Sequence, residues 1–210
     1  MIIAVDGTAA SGKGTLAKKL AQALHLAHLD TGALYRGTAV ALMNIGVTPA
    51  TITPEEAEKA AKNLDFTDLE SPRLRSPEAG EMASLVAVIP EVRRALLDGQ
   101  RQFAQNPPKD FKGAILDGRD IGTVVLPDAD VKFYVDADLP VRAERRYKEL
   151  INGGHKVILR DIQASLEARD HRDMSRQDAP LKPALDAIII DTTAMDVEMM
   201  VKTALSHCAS

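Results

Sequence analysis

The residues Gly7-Thr8-Ala9-Ala10-Ser11-Gly12-Lys13-Gly14-Thr15 bring glycines, hydroxyls and one lysine together. They follow the apolar run Ile2-Ile3-Ala4-Val5 and precede a helix-like run over residues 16–24. Strand, glycine loop, lysine, helix is the layout of a phosphate-binding P-loop. Glycines let backbone N–H groups turn toward one point, and a helix N-terminus adds partial positive charge there. Lys13 supplies a full charge for the outer phosphates, and residues 7–15 together are the expected cradle for a nucleoside triphosphate. The position after the lysine, often Ser or Thr, holds Gly14, and the first hydroxyl follows at Thr15. A direct Thr–Mg²⁺ bond of the GTPase kind is therefore not expected. Thr15 is the candidate neighbour of a Mg²⁺ held through phosphates and waters.

A second set of anion-binding groups is spread along the chain. Arg36 follows Asp30-Thr31-Gly32-Ala33-Leu34-Tyr35, Arg93 follows Pro90, and Arg119 sits within Asp117-Gly118-Arg119-Asp120. Arg169, Arg172 and Arg176 crowd a later stretch that also holds Asp173. A guanidinium binds phosphate in a bidentate way and stays charged. A lone arginine is usually a surface charge. Arg36 and Arg119, however, lie just beyond apolar runs that read as strands.

Those runs define the frame. Residues 2–5, 114–116, 131–135 and 187–190 are apolar and each ends at an aspartate, and a weaker run over 26–29 leads to Asp30. Buried runs separated by helical stretches predict a parallel sheet of five strands with helices on both faces. Ligands of such sheets bind at the carboxyl ends of the strands. Between residues 40 and 110 only helices are predicted. Thr53-Pro54-Glu55-Glu56 and Ser76-Pro77-Glu78 read as helix starts, and Val92, Leu96 and Phe103 share the apolar face of a helix opened by Pro90. Thr31 is expected to cap the helix carrying Arg36. Asn152-Gly153-Gly154-His155 separates two charged helices over 140–150 and 161–173. Met195, Met199 and Met200 are expected to pack a C-terminal helix on the core. Two interruptions of one sheet suit an enzyme that closes over two ligands.

Bulk properties exclude several classes. A net charge of −4, no Trp, three Tyr and four Phe argue against a nucleic-acid surface. The lone Cys208 cannot form an internal disulfide, there is no metal-type Cys/His spacing, and no apolar span or leader is apparent. The expectation is one cytoplasmic, monomeric domain that engages neither membrane nor nucleic acid. His155 and His171 have no partner spacing for a metal or triad and are expected to face solvent.

Taken together, Gly12-Lys13-Gly14-Thr15, residues 30–36, Ala83-Ser84 with Val92-Arg93, Asp117-Gly118-Arg119-Asp120-Ile121-Gly122-Thr123-Val124-Val125, and residues 169–173 through Ala179-Pro180-Leu181 resemble the bacterial cytidylate kinases, in the family's order. The resemblance spans nearly the whole chain, and the block over 117–125 is its most specific part. It implies a P-loop-type α/β fold. A CORE would cover about 1–30, 111–139 and 161–210, with a monophosphate-binding region over about 31–110 and a short LID over about 140–160. It implies transfer of phosphate from ATP to CMP or dCMP with Mg²⁺. Lys13, Arg36, Arg119 and Arg176 would be catalytic. Thr31 and Arg169 would join the acceptor site; Ser84, Arg93 and Asp120 would read cytosine; and Asp173 would hold the sugar hydroxyls. Arg142 and Arg146, with Arg145 and Arg160 beside them, would cover the ATP phosphates. The insert before Ser84, strand-forming in many members, is short here at 64–75. Alternatives are a kinase for another small acceptor such as UMP or shikimate, or a P-loop switch. The switch lacks a guanine-reading N-K-x-D segment and a glutamine placed to orient water.

Overall fold

The computed structural model describes residues 1–66, 69 and 71–208. Five strands, β1 (Ile2–Gly7), β2 (Ala27–Asp30), β3 (Ala114–Gly118), β4 (Val131–Asp136) and β5 (Ile188–Asp191), form one sheet in the order β2-β3-β1-β4-β5. Every pairing is parallel. The helices are α1 (Lys13–Leu24), α2 (Thr31–Asn44), α3 (Pro54–Lys62), α4 (Pro77–Val86), α5 (Pro90–Gln105), α6 (Leu139–Asn152), α7 (Leu159–Ser175) and α8 (Val197–Ser206).

Strand alternation sorts the apolar residues onto two faces. Ala4 and Leu116 point into a cluster with Leu34, Met82, Val92 and Leu96, contributed by α2, α4 and α5. Ile3, Val5 and Ile115 point the other way, onto Leu16 and Leu20 of α1 and Met200 and Ala204 of α8. Both faces of the central strands are thus covered, as all-parallel sheets require. A third, smaller cluster joins Ala143 and Leu150 of α6 and Ile162 and Leu166 of α7 to Ala9 of the glycine loop.

Local signals act as the sequence suggests at most ends. Thr53 caps α3 and Ser76 caps α4, each accepting from a backbone N–H, with proline following. Two expectations are corrected. Asp30, not Thr31, caps α2: its Oδ1 accepts from Ala33 N–H at 3.2 Å. The Thr31 hydroxyl instead donates to the Asp117 carbonyl at 2.8 Å, tying α2 to β3. Met199 does not pack on the core; it is exposed, because it lies about 100° around α8 from buried Met200. The shortened insert passes through a tight turn at Pro72–Arg75. Thr67, Asp68 and Glu70, part of that reading, lie outside the described residues.

Candidate active site

The carboxyl ends of β1, β2, β3 and β4 open on one side of the sheet. β1 delivers the glycine loop there. An added Cβ on Gly7 would lie 2.0 Å from the Val135 carbonyl oxygen of β4, so no larger residue fits. Gly12, at φ +94°, turns the chain into α1 in a conformation that side chains rarely adopt. Inside the loop, the Ser11 hydroxyl and the Lys13 ammonium both donate to the Thr8 carbonyl, at 3.0 and 3.2 Å. Burial pushes Lys13 down to about 7, and Arg119 pushes the same way.

Lys13 stands between two cavities. The first, about 410 Å³, reaches from Ala9, Lys13 and Gly14 past Asp30 and Asp117 to Ser84, Arg93 and Asp120. The second, about 550 Å³, lies over residues 10–15 and is walled by Arg145, Arg146, Thr192, Met195 and Met200. Arg146 borders both.

Seven guanidiniums line the first cavity, among them Arg36, Arg119, Arg169 and Arg176. Arg36 pairs with Asp30 at 2.6 Å and Arg119 with Asp173 at 2.8 Å. Burial opposes ionisation of Asp173, but Arg119, Arg169 and Arg176 outweigh it and hold the carboxyl below its usual range. Arg169 and Arg176 lie at 3.8–3.9 Å from Asp173 and Asp120, too far for hydrogen bonds. Arg169 Nε and Arg176 Nη2 are buried donors with no hydrogen-bond acceptor among the described residues. Burial, with Arg119 close by, drives Arg169 down to about 10. Unpartnered buried donors are costly unless a ligand accepts from them. A phosphate supplies such acceptors.

The far end has a different character. Asp120 pairs with Arg93 and lies 3.8 Å from Arg176. Arg93 also donates to the Ala87 carbonyl at 3.3 Å and stacks 5.8 Å above the Tyr35 ring. Ser84, buried on α4, completes a wall that offers both a donor and an acceptor. Desolvation raises the Asp120 carboxyl above its ordinary value, against the pull of Arg93.

The cytidylate kinase family model matches residues 3–210. A cytidylate kinase from Methylocella silvestris is 53% identical over 98% of this chain and 92% of its own length. Another from Rhodospirillum rubrum is 50% identical over 100% of this chain and 97% of its own. The chain belongs to the cytidylate kinase family. Among solved structures, an uncharacterized protein from Eubacterium ventriosum (TM-score 0.57, 14% identity, 100% of this chain and 99% of that one) shares the fold. So does a sugar kinase from Janibacter (TM-score 0.51, 16% identity, 98% and 92%).

In this cytidylate kinase family member, all nine residues expected at the acceptor site border the first cavity: Thr31, Arg36, Ser84, Arg93, Arg119, Asp120, Arg169, Asp173 and Arg176. Ala9, Ala10, Ser11, Gly12, Lys13, Gly14, Thr15 and Arg146, expected around ATP, border one cavity or both. Three expected ATP contacts do not. Gly7 is packed in β1 against β4. Thr8 is buried and its hydroxyl donates to Asp136 at 2.6 Å. Arg142 turns inward, 6% exposed, to Asp170 at 2.7 Å and to the carbonyls of Ala137 and Ala9. Arg145 stands at the second cavity instead, fixed by Thr192 at 2.9 Å. Of the two histidines, His171 is exposed and His155 half-buried.

Asp6 and His28, which brace the site, were not singled out from the sequence, and Arg172, named there among the anion-binding candidates, engages a serine instead. Asp6 accepts the backbone N–H groups of Ile121 and Gly122, both at 2.7 Å, and so fixes the turn bearing Arg119 and Asp120. His28 Nε2 lies 2.7 Å from Asp117 Oδ1. Arg172 donates to Ser84 at 3.2 Å. The aspartate ending each strand was the available signal for Asp6, but a strand-end aspartate is common.

Proposed function

We propose that the protein transfers the γ-phosphoryl group of ATP to CMP and dCMP, acting as a monomer in the cytoplasm. The observation that carries this reading is a single cavity lined by buried arginine donors that lack hydrogen-bond acceptors, with Lys13 at one end and an Arg93–Asp120–Ser84 wall at the other. ATP lies over the second cavity with its outer phosphates on Lys13 and the loop N–H groups. CMP lies in the first with its phosphate on Arg36, Arg119 and Arg176 and its sugar beside Asp173 and Arg169. All these groups come from one chain.

The nucleophile is a phosphate oxygen of CMP. The second pKa of a phosphate monoester is about 6, so this oxygen is already ionised at neutral pH and needs no general base. The obstacle is bringing two polyanions together in a dry site. Positioning and charge neutralisation therefore dominate. Arg93 offers donors to the ring nitrogen and carbonyl of cytosine, and Asp120 accepts from its amino group.

The residues also suit Mg²⁺. Asp30 and Asp117 face each other across the β2–β3 pairing, and Asp117 Oδ2 would be 3.6 Å from a Cβ on Gly14. No group of three or more ligating side chains exists among the described residues, so phosphates and waters would complete the shell. Thr15 is exposed and borders the second cavity, away from the two carboxylates. When bound, the metal would offset phosphate charge and align the two substrates.

Calorimetric titration tests the acceptor site directly. CMP should bind more tightly than UMP, and Arg176→Ala should weaken CMP at least tenfold, by analogy with other phosphate-clamping arginines, with ATP binding unchanged. Equal affinity for CMP and UMP would overturn the reading.

A further inference from the structure

Arg172 is half-buried on α7 and is not part of either cavity wall. Its Nε donates to Ser84 Oγ at 3.2 Å, across the gap from α7 to α4. Ser84 is 2% exposed and borders the acceptor cavity beside Arg93 and Asp120. A serine hydroxyl owns one proton and two lone pairs, and left alone it can donate or accept. A guanidinium that donates to the oxygen occupies a lone pair and repels the hydroxyl proton. The proton then points away from Arg172, and the polarised O–H becomes a better donor.

We propose that Arg172 is a positioning residue for base specificity: by engaging Ser84 Oγ it presents the Ser84 hydroxyl to the cavity as a donor. A donor suits the unprotonated ring nitrogen of an aminopyrimidine. It opposes the ring N–H of the corresponding diketo base. The inference rests on Ser84 facing the base, as assigned above, and it gives that wall a second oriented donor beside Arg93.

The test is kcat/KM for CMP and for UMP at saturating ATP in wild type, Arg172→Ala, Arg172→Lys, Ser84→Ala and the double variant, each checked for folding by thermal melting. Arg172→Ala should lower the CMP-to-UMP ratio ~3- to 10-fold, the scale of one biased hydrogen bond. Arg172→Lys, which keeps a charged donor, should retain more of the ratio than Arg172→Ala. The double variant should discriminate no worse than Ser84→Ala alone. If Arg172→Ala slows both substrates equally while Ser84→Ala shifts the ratio, Arg172 merely ties α4 to α7 and the inference fails alone. If neither variant shifts the ratio, the base-facing assignment of Ser84 fails with it. Should Arg172→Ala not fold, Arg172→Met, which keeps an apolar stem and no donor, decides: an unchanged ratio against a shifted Ser84→Ala overturns the proposal, and a lowered ratio supports it.

Discussion

Asp6 and Gly122 are joined by a 2.7 Å hydrogen bond from the Gly122 N–H to the Asp6 carboxylate, in the buried seam between the glycine loop and the turn that carries Arg119 and Asp120. The other carboxylate oxygen accepts from Ile121 N–H. One side chain thus ties the strand that leads into the glycine loop to the segment that carries Arg119 and Asp120.

This link carries a pH signature. Burial lifts Asp6 to about 7 from its ordinary 3.8, more than the two N–H groups lower it. The folded protein therefore holds this proton more tightly than the unfolded chain does. The stability that Asp6 contributes is fully present below pH 3.8 and is lost as pH rises through about 7. The stability of wild type minus that of Asp6→Asn, from urea melts, should fall as pH rises from about 4 to about 7. A difference that stays flat or grows would contradict the assignment.

Arg142 gives the second prediction. It was expected among phosphates and is found paired with Asp170 in the interior. Removing one member of a buried pair strands the other, at a cost of about 3–5 kcal/mol. For a chain of this length Arg142→Ala should lower the melting midpoint by roughly 6–20 °C. The KM for ATP of the protein that remains folded should change less than twofold. An unchanged midpoint with a raised KM would return Arg142 to the phosphates.

The sheet, its helices and many of the residues that border the two cavities were legible because each rests on a local pattern. Apolar runs of strand length mark β1 and β3–β5, and proline at the first helical position marks α3, α4 and α5. What was not legible depends on approaches between distant segments. Thr31 resembles a cap, yet the Asp117 carbonyl, 86 residues on, claims its hydroxyl. Arg142 and Arg146 differ by one helical turn and look alike in sequence. Only the packing of α6 on α7 turns Arg142 inward and leaves Arg146 at the cavities. Asp6, His28 and Arg172 act through residues that the chain brings near only on folding.

Asp120 yields the third prediction. As the acceptor group of the base wall, its loss should remove the preference for an amino base. Asp120→Ala should reduce the CMP-to-UMP ratio of kcat/KM by at least about tenfold, since a mismatch no longer leaves a buried acceptor unpaired. ATP affinity, proposed above to be set at the other cavity, should barely change. Equal losses for CMP and UMP, read from steady-state kinetics, would assign Asp120 to holding Arg93 alone.

If two substrates meet across Lys13, ADP release with each nucleoside monophosphate in turn shows it most directly. Purified protein with ATP and Mg²⁺ should form ADP rapidly when CMP is added, more slowly with UMP, and at a negligible rate with neither. ADP formation at one rate whether or not a pyrimidine monophosphate is present would contradict it.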